Sequence, residues 1–203
     1  MTAGVYEPFS YGADEIKISP REYLRYMGAG AESDAALTAL IDECLCEVKG
    51  ALRIRGVMRT SDVEVCAPSV RFSFCEIESR SLSKNLSGCS SAVLFAITAG
   101  AGIDRLISKY SAVSPSRALV IDALASAAVE GAANKLNSEV KKRFGKTKPR
   151  FSPGFGDLDL GFQRDLLSFV DAGRRAGVLL TESMMLTPMK STTAIIGICE
   201  EQK

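Results

Sequence analysis

Between Ser90-Ser91 and Gly100 the chain reads Ala92-Val93-Leu94-Phe95-Ala96-Ile97-Thr98, a run in which apolar side chains do not alternate with polar ones. Successive side chains of a strand point to opposite faces, so a strand of this composition must be covered on both sides. The run is short and bounded by turn residues, which marks a buried central strand rather than a helix. It leads through Ala99-Gly100-Ala101-Gly102 into a helix from Ile103 to Tyr110. That glycine turn lacks the full G-x-G-x-x-G pattern and the lysine of a phosphate loop, so close strand-to-helix packing is its expected use.

The other elements are arranged around this strand. Residues Tyr6 to Ile18 read as an extended lead-in, and Ser19-Pro20 opens a helix, Arg21 to Met27, that stops at Gly28-Ala29-Gly30. Ser33 and Asp34 are placed to cap a second helix, whose Leu37, Leu40, Ile41, Cys44, Leu45 and Val48 form one apolar stripe. From Leu52 to Ile77 the period shortens to two, predicting short strands broken at Gly56 and Pro68. Ser81 or Ser83 starts a short helix that ends at Gly88. Ser114-Pro115 opens the longest helix, Ser116 to about Phe144, with a small apolar first half and a solvated tail rich in cations. Within it, Glu130 sits among alanines and Val129, where a carboxylate is either a satisfied structural acid or a ligand contact. Asp157 or Asp159 begins a helix that ends near Gly173, Val178 to Leu180 is a strand, and Ser191 to Ile198 is the last one. The predicted fold class is α+β: a mixed, mainly antiparallel twisted sheet with one long helix and several shorter ones.

Several function classes are excluded by what the chain lacks. Histidine is absent, which removes Ser-His-Asp and Cys-His catalysis and histidine-ligated metal. The cysteines, Cys44, Cys46, Cys66, Cys75, Cys89 and Cys199, form no C-x-x-C pair, so no metal site is expected and they read as reduced core residues. A net charge of +1 offers no electrostatic pull on nucleic acid or an anionic membrane. With no apolar run near the ~20 residues of a membrane span and no signal-peptide pattern, a cytoplasmic location is expected.

The stretch most suited to a ligand is Arg150-Phe151-Ser152-Pro153-Gly154-Phe155-Gly156-Asp157. Pro153 pushes Ser152 toward extended geometry, the two glycines permit tight turns, and Arg150 presents a planar cation suited to a carboxylate or phosphate, unless it is only a surface charge. Arg150-x-x-x-Gly154-Phe155 resembles the R-x-x-x-G-Y motif of the S-adenosylmethionine-binding activation, or reactivation, domain of vitamin B12-dependent methionine synthase. Leu180-Thr181-Glu182-Ser183 followed by Pro188-x-x-Ser191 resembles that family's L-T-E-S and P-x-x-S continuation. The likeness runs from about Val93 to Ile198. On this reading 91–203 carries the ligand-binding core and 1–90, which matches loosely, is the N-terminal part of one domain spanning 1–203. The family tyrosine is Phe155 here, which keeps the ring and loses the hydroxyl.

The resemblance implies an S-adenosylmethionine site in which Arg150 takes the carboxylate and Glu130 the ammonium or ribose. Ser152 and Gly154 present main-chain groups, and Phe155 offers a ring face to adenine or the sulfonium. Pro153, Glu182 and Ser191 are candidates for shaping the site, Glu182 having the alternative of capping or pairing with Arg174 or Arg175. It further implies that the chain supports reductive methylation of cobalamin carried by a partner methionine synthase or related corrinoid methyltransferase, with a flavodoxin-like chain as candidate electron donor. The alternative is a non-catalytic module that senses S-adenosylmethionine or docks on a corrinoid protein.

Overall fold

The computed structural model describes residues 4–28 and 35–199. Its elements in order are β1 (Glu7–Tyr11), α1 (Pro20–Met27), α2 (Ala35–Ala51), β2 (Ile54–Cys66), β3 (Ser69–Phe72), β4 (Glu76–Glu78), α3 (Arg80–Asn85), β5 (Cys89–Thr98), α4 (Ala101–Ser111), α5 (Pro115–Phe144), α6 (Phe162–Phe169), α7 (Ala172–Arg175), β6 (Leu179–Leu180), β7 (Leu186–Thr187) and β8 (Ser191–Cys199). A six-stranded sheet runs β4-β3-β2-β5-β8, and β1 pairs with the first half of β2. All its pairings are antiparallel. Beta6 and β7 form a separate two-stranded hairpin. The expected α+β class, with an antiparallel sheet and one dominant helix, is the observed one.

The apolar run of β5 is covered on both faces. Val93, Phe95 and Ile97 join Ala194, Ile196 and Ile198 of β8 in a core built with α2 and α5. Ala92, Leu94 and Ala96 join Ile195 in a second core with α3, α6 and α7. Alpha5 meets its neighbours through Ala125, Ala128, Ala132 and Ala133, all fully buried, and small side chains let helices and sheet approach closely. At Gly131 a Cβ would collide with the carbonyl of Lys17, so this helix also takes the lead-in segment against its surface.

Local expectations fail at identifiable places. Beta2 does not break at Gly56 but runs through it, because the Phe9 ring of β1 lies where a Cβ would be and the Ala96 carbonyl would stand 2.6 Å from that atom. The glycine there serves close approach, not a turn. Alpha3 starts at Arg80, ahead of both Ser81 and Ser83: Ser79 is its N-cap, with Oγ accepting from the Leu82 N–H at 3.1 Å. Alpha6 begins at Phe162 rather than at Asp157 or Asp159, since Asp159 is used in a turn with the Gly161 N–H at 2.6 Å and Asp157 is engaged elsewhere. The strand expected over Val178 to Leu180 is only the two-residue β6, outside the main sheet. Cys46 and Cys66 are exposed and Cys75 half-buried, so the core reading of the cysteines holds for Cys44, Cys89 and Cys199. The caps expected at Ser33 and Asp34 lie outside the described residues.

Candidate functional site

Alpha5 supplies one wall of a groove. Asp122, Ser126, Glu130 and Asn134 recur at every fourth position, which on a helix places them along one face. The facing wall comes from β8 and the chain before it. Residues 146–151 run antiparallel to the end of β8: Cys199 N–H donates to Lys146 at 2.9 Å, Lys148 N–H to Gly197 at 2.8 Å, and Phe151 and Ile195 exchange bonds of 2.9 and 2.8 Å. This ribbon carries Arg150 to α5, where its Nη2 donates to Asn134 Oδ1 at 2.9 Å and to the Glu130 carboxylate. The Arg150 side chain is 20% exposed and that of Glu130 37%. A charge pair this accessible is held together and still reachable from solvent.

Glu130, Arg150, Ser152 and Phe155 line one cleft of ≈ 190 Å³, together with Thr192 and Ala194 of β8. A second compartment of ≈ 230 Å³ shares Glu130 and Thr192 with it and extends past Ser191 and Lys190 to Tyr26 of α1. Each is smaller than the ~300–1,000 Å³ of pockets that enclose drug-sized ligands, so an elongated ligand has to span both. In the second compartment Lys190 Nζ pairs with Asp122 at 2.8 Å and donates to Ser126 Oγ at 3.0 Å. The turn bearing Lys190 is fixed by Met189 N–H donating to Asp104 Oδ2 at 2.9 Å and by the Lys190 carbonyl accepting from Ala99 N–H at 2.8 Å.

The loop after Arg150 is closed by its own backbone. Phe155 N–H donates to Ser152 O at 3.1 Å, Leu158 N–H to Phe155 O at 3.0 Å, and Gly154 N–H to Leu158 O at 2.9 Å. Gly154 has φ +84° and Gly156 φ +57°, left-handed values that glycine adopts without strain. Pro153 is buried beneath, and Phe155 stands 63% exposed at the rim. Asp157 ends the loop with its carboxylate held by Ser79 Oγ at 2.6 Å and by the N–H groups of Arg80 and Ser81 at 2.9 and 3.0 Å. The Ser79 hydroxyl, then those N–H groups, hold its pKa well below the usual carboxylate range.

The structure thus gathers Glu130, Arg150, Ser152 and Phe155 in one cleft and puts Ser191 in the adjoining compartment, its Oγ donating to Pro188 O at 2.6 Å. Gly154 shapes the turn but spends its N–H on Leu158, leaving none for a ligand. Glu182 is exposed in the β6–β7 turn, away from both compartments, and among the described residues it forms no ion pair; Arg175 pairs instead with Asp171. Asn134, Asp122, Ser126, Lys190 and Thr192 were not expected. The first three carry a readable signal, the four-residue spacing around Glu130; Lys190 and Thr192 flank Ser191 and show none. Among the described residues no cluster of three or more His, Cys, Asp or Glu is placed to hold a metal ion, and no helix is long and apolar enough to cross a membrane.

No protein-family model matches the sequence, and no curated protein matches it. Among solved structures, the crystal structure of the MetH reactivation domain bound to AdoHcy superposes with a TM-score of 0.77 at 14% sequence identity, covering 98% of this chain and 80% of that one. The chain therefore has the fold of the MetH reactivation domain, at low sequence identity to it.

Proposed function

We propose that the groove binds S-adenosylmethionine and its demethylated product S-adenosylhomocysteine, and that the chain serves as a reactivation module for a corrinoid held by a partner methyltransferase. The observation that carries this reading is the Arg150–Glu130 pair that joins the two walls of the groove. A guanidinium beside a carboxylate is complementary to the zwitterionic end of an amino acid, cation to carboxylate and carboxylate to ammonium. Ligand binding exchanges one internal ion pair for two intermolecular ones, while Asn134 keeps the guanidinium in place. Phe155 presents a ring face at the rim, suited to adenine or to a sulfonium by cation–π attraction. That the shared fold occurs in a domain bound to AdoHcy supports the same choice of ligand.

The residues present fit a positioning role. On this reading Arg150 and Glu130 hold the amino-acid end of the methyl donor and Phe155 faces its adenine or sulfonium, and a corrinoid carried by a partner chain would supply the nucleophile that accepts the methyl group. A flavodoxin-like electron donor and a cytoplasmic setting belong to this reading. Isothermal titration with S-adenosylmethionine and S-adenosylhomocysteine tests it. Saturable binding that falls roughly ten- to 150-fold in Arg150→Ala is expected for the loss of a charged hydrogen bond. No binding by the wild-type chain, or unchanged affinity in the variant, overturns the site. Binding without methyl transfer to reduced cobalamin, with partner chains supplied, assigns the molecule to ligand sensing instead.

A further inference from the structure

Alpha3 belongs to the N-terminal part of the chain and touches neither compartment of the groove, yet it holds the loop between Arg150 and Asp157 at both ends. At its first turn, Asp157 Oδ1 accepts from Ser79 Oγ and the Ser81 N–H, and Oδ2 accepts from the Arg80 N–H. At its last residue, Asn85 Nδ2 donates to the carbonyl of Pro149 at 3.2 Å, directly before Arg150. Beside Asp157 the contact is also close: a Cβ on Gly156 would stand 2.5 Å from Ser81 Oγ and 2.7 Å from its Cβ. Alpha3 itself is fixed, with Leu82 and Leu86 fully buried in the second core and Ser79 N–H donating to Pro68 O at 3.0 Å.

We infer that α3 is a splint for the ligand loop and that Asp157 is its main positioning residue, setting where Arg150, Ser152 and Phe155 stand without touching the ligand. The inference rests on the proposed reading of the groove. The loop is closed by its own backbone bonds and tied to β8 only at Phe151, so beyond that residue its position against the core depends on bonds to a rigid neighbour. A side-chain carboxylate that accepts three hydrogen bonds at the start of a helix is such a bond set, and its depressed pKa follows from the same geometry. The first part of the chain, which looks least like a ligand-binding sequence, is thereby part of the site.

The test uses the full chain and three variants: Asp157→Ala, Asp157→Asn, which keeps one acceptor oxygen, and Asn85→Ala at the opposite end. Affinity for S-adenosylhomocysteine is measured where each variant is fully folded. A loss of about ten-fold is expected for Asp157→Ala, with Asp157→Asn between it and the wild type. In parallel, amide hydrogen exchange of the ligand-free chain is followed at Gly154, Phe155 and Leu158 and, as an internal control, in β5. Faster exchange in the loop with β5 unchanged is expected for Asp157→Ala and Asn85→Ala. Unchanged loop exchange, or exchange that rises equally in β5, overturns the splint. If the wild-type chain binds no S-adenosyl ligand, the proposed function fails, and the exchange measurement still decides the positioning role.

Discussion

The two walls of the groove are held in place by different means. On the α5 wall, Asp122, Ser126, Glu130 and Asn134 owe their alignment to helix periodicity, and the helix is seated by Ile121, Ala125, Ala128 and Ala132, each fully buried. On the loop wall, Arg150, Ser152 and Phe155 follow no period. Their places come from the ribbon against β8 and from Asp157, whose partner Arg80 lies 77 residues earlier in the chain. A wall built on a helix shares the stability of the core, whereas a wall built on a loop can loosen while the core stays intact. Damage to the first should register as unfolding, and damage to the second as lost binding by a folded molecule.

The sharpest way to break this contrast is at α5. Ile121→Ala empties a fully buried position and is expected to cost about 2–5 kcal/mol in denaturant unfolding. Ligand affinity of the molecules that remain folded should stay near the wild-type value; a proportionate loss of affinity would mean that the α5 wall is no firmer than the loop. Next in size, Arg150→Ala should weaken S-adenosylmethionine binding by about 1.5–3 kcal/mol, with the unfolding midpoint little changed because the Arg150–Glu130 pair is partly solvated. Ser79→Ala removes the N-cap of α3 and a partner of Asp157. It should lower stability by about 1 kcal/mol and shift loop exchange in the direction of Asp157→Ala.

The smallest effect concerns pH. The pKa of Asp157 is lower in the folded chain than in the unfolded one, so as pH falls the unfolded chain takes up the proton first. The stability this carboxylate contributes is complete above the ordinary carboxylate range and is lost progressively below it. Asp157→Asn should therefore flatten the acid limb of the stability curve and leave its slope unaltered between about pH 6 and 8. A change of slope near neutrality would mean that another group carries the linkage.

Legibility in the sequence follows the range of the interactions. The run from Ala92 to Thr98 specifies a strand buried on both faces because alternation alone places its side chains, and it lies inside the sheet, between β2 and β8. The longest helix is equally readable, from proline at its start to Gly145 at its end, since caps and propensity are local. Glu130 is open to two readings from its neighbours alone; the structure gives it Arg150 as an internal partner in the lining of a cleft, and a ligand contact there belongs to the proposed function. Asp157 shows the opposite case: its position before a helix suggests the start of α6, and its carboxylate instead accepts from the first N–H groups of α3, beside the Ser79 cap.

What the sequence determined by itself is therefore the longer elements such as α5 and β8, the double-sided burial of β5, and the loop whose proline and glycines demand a particular shape. What only the tertiary structure decided is which residues meet. Gly56 lets β2 run on because the Phe9 ring fills the space of its missing Cβ. Thr192 and Lys190 enter the groove because β8 lies opposite α5. The Arg150 loop is tied to β8 at Phe151 and to α3 through Asp157. Periodicity and capping act over a few residues and are written along the chain, whereas these contacts join residues far apart in sequence and exist only once the layers have packed.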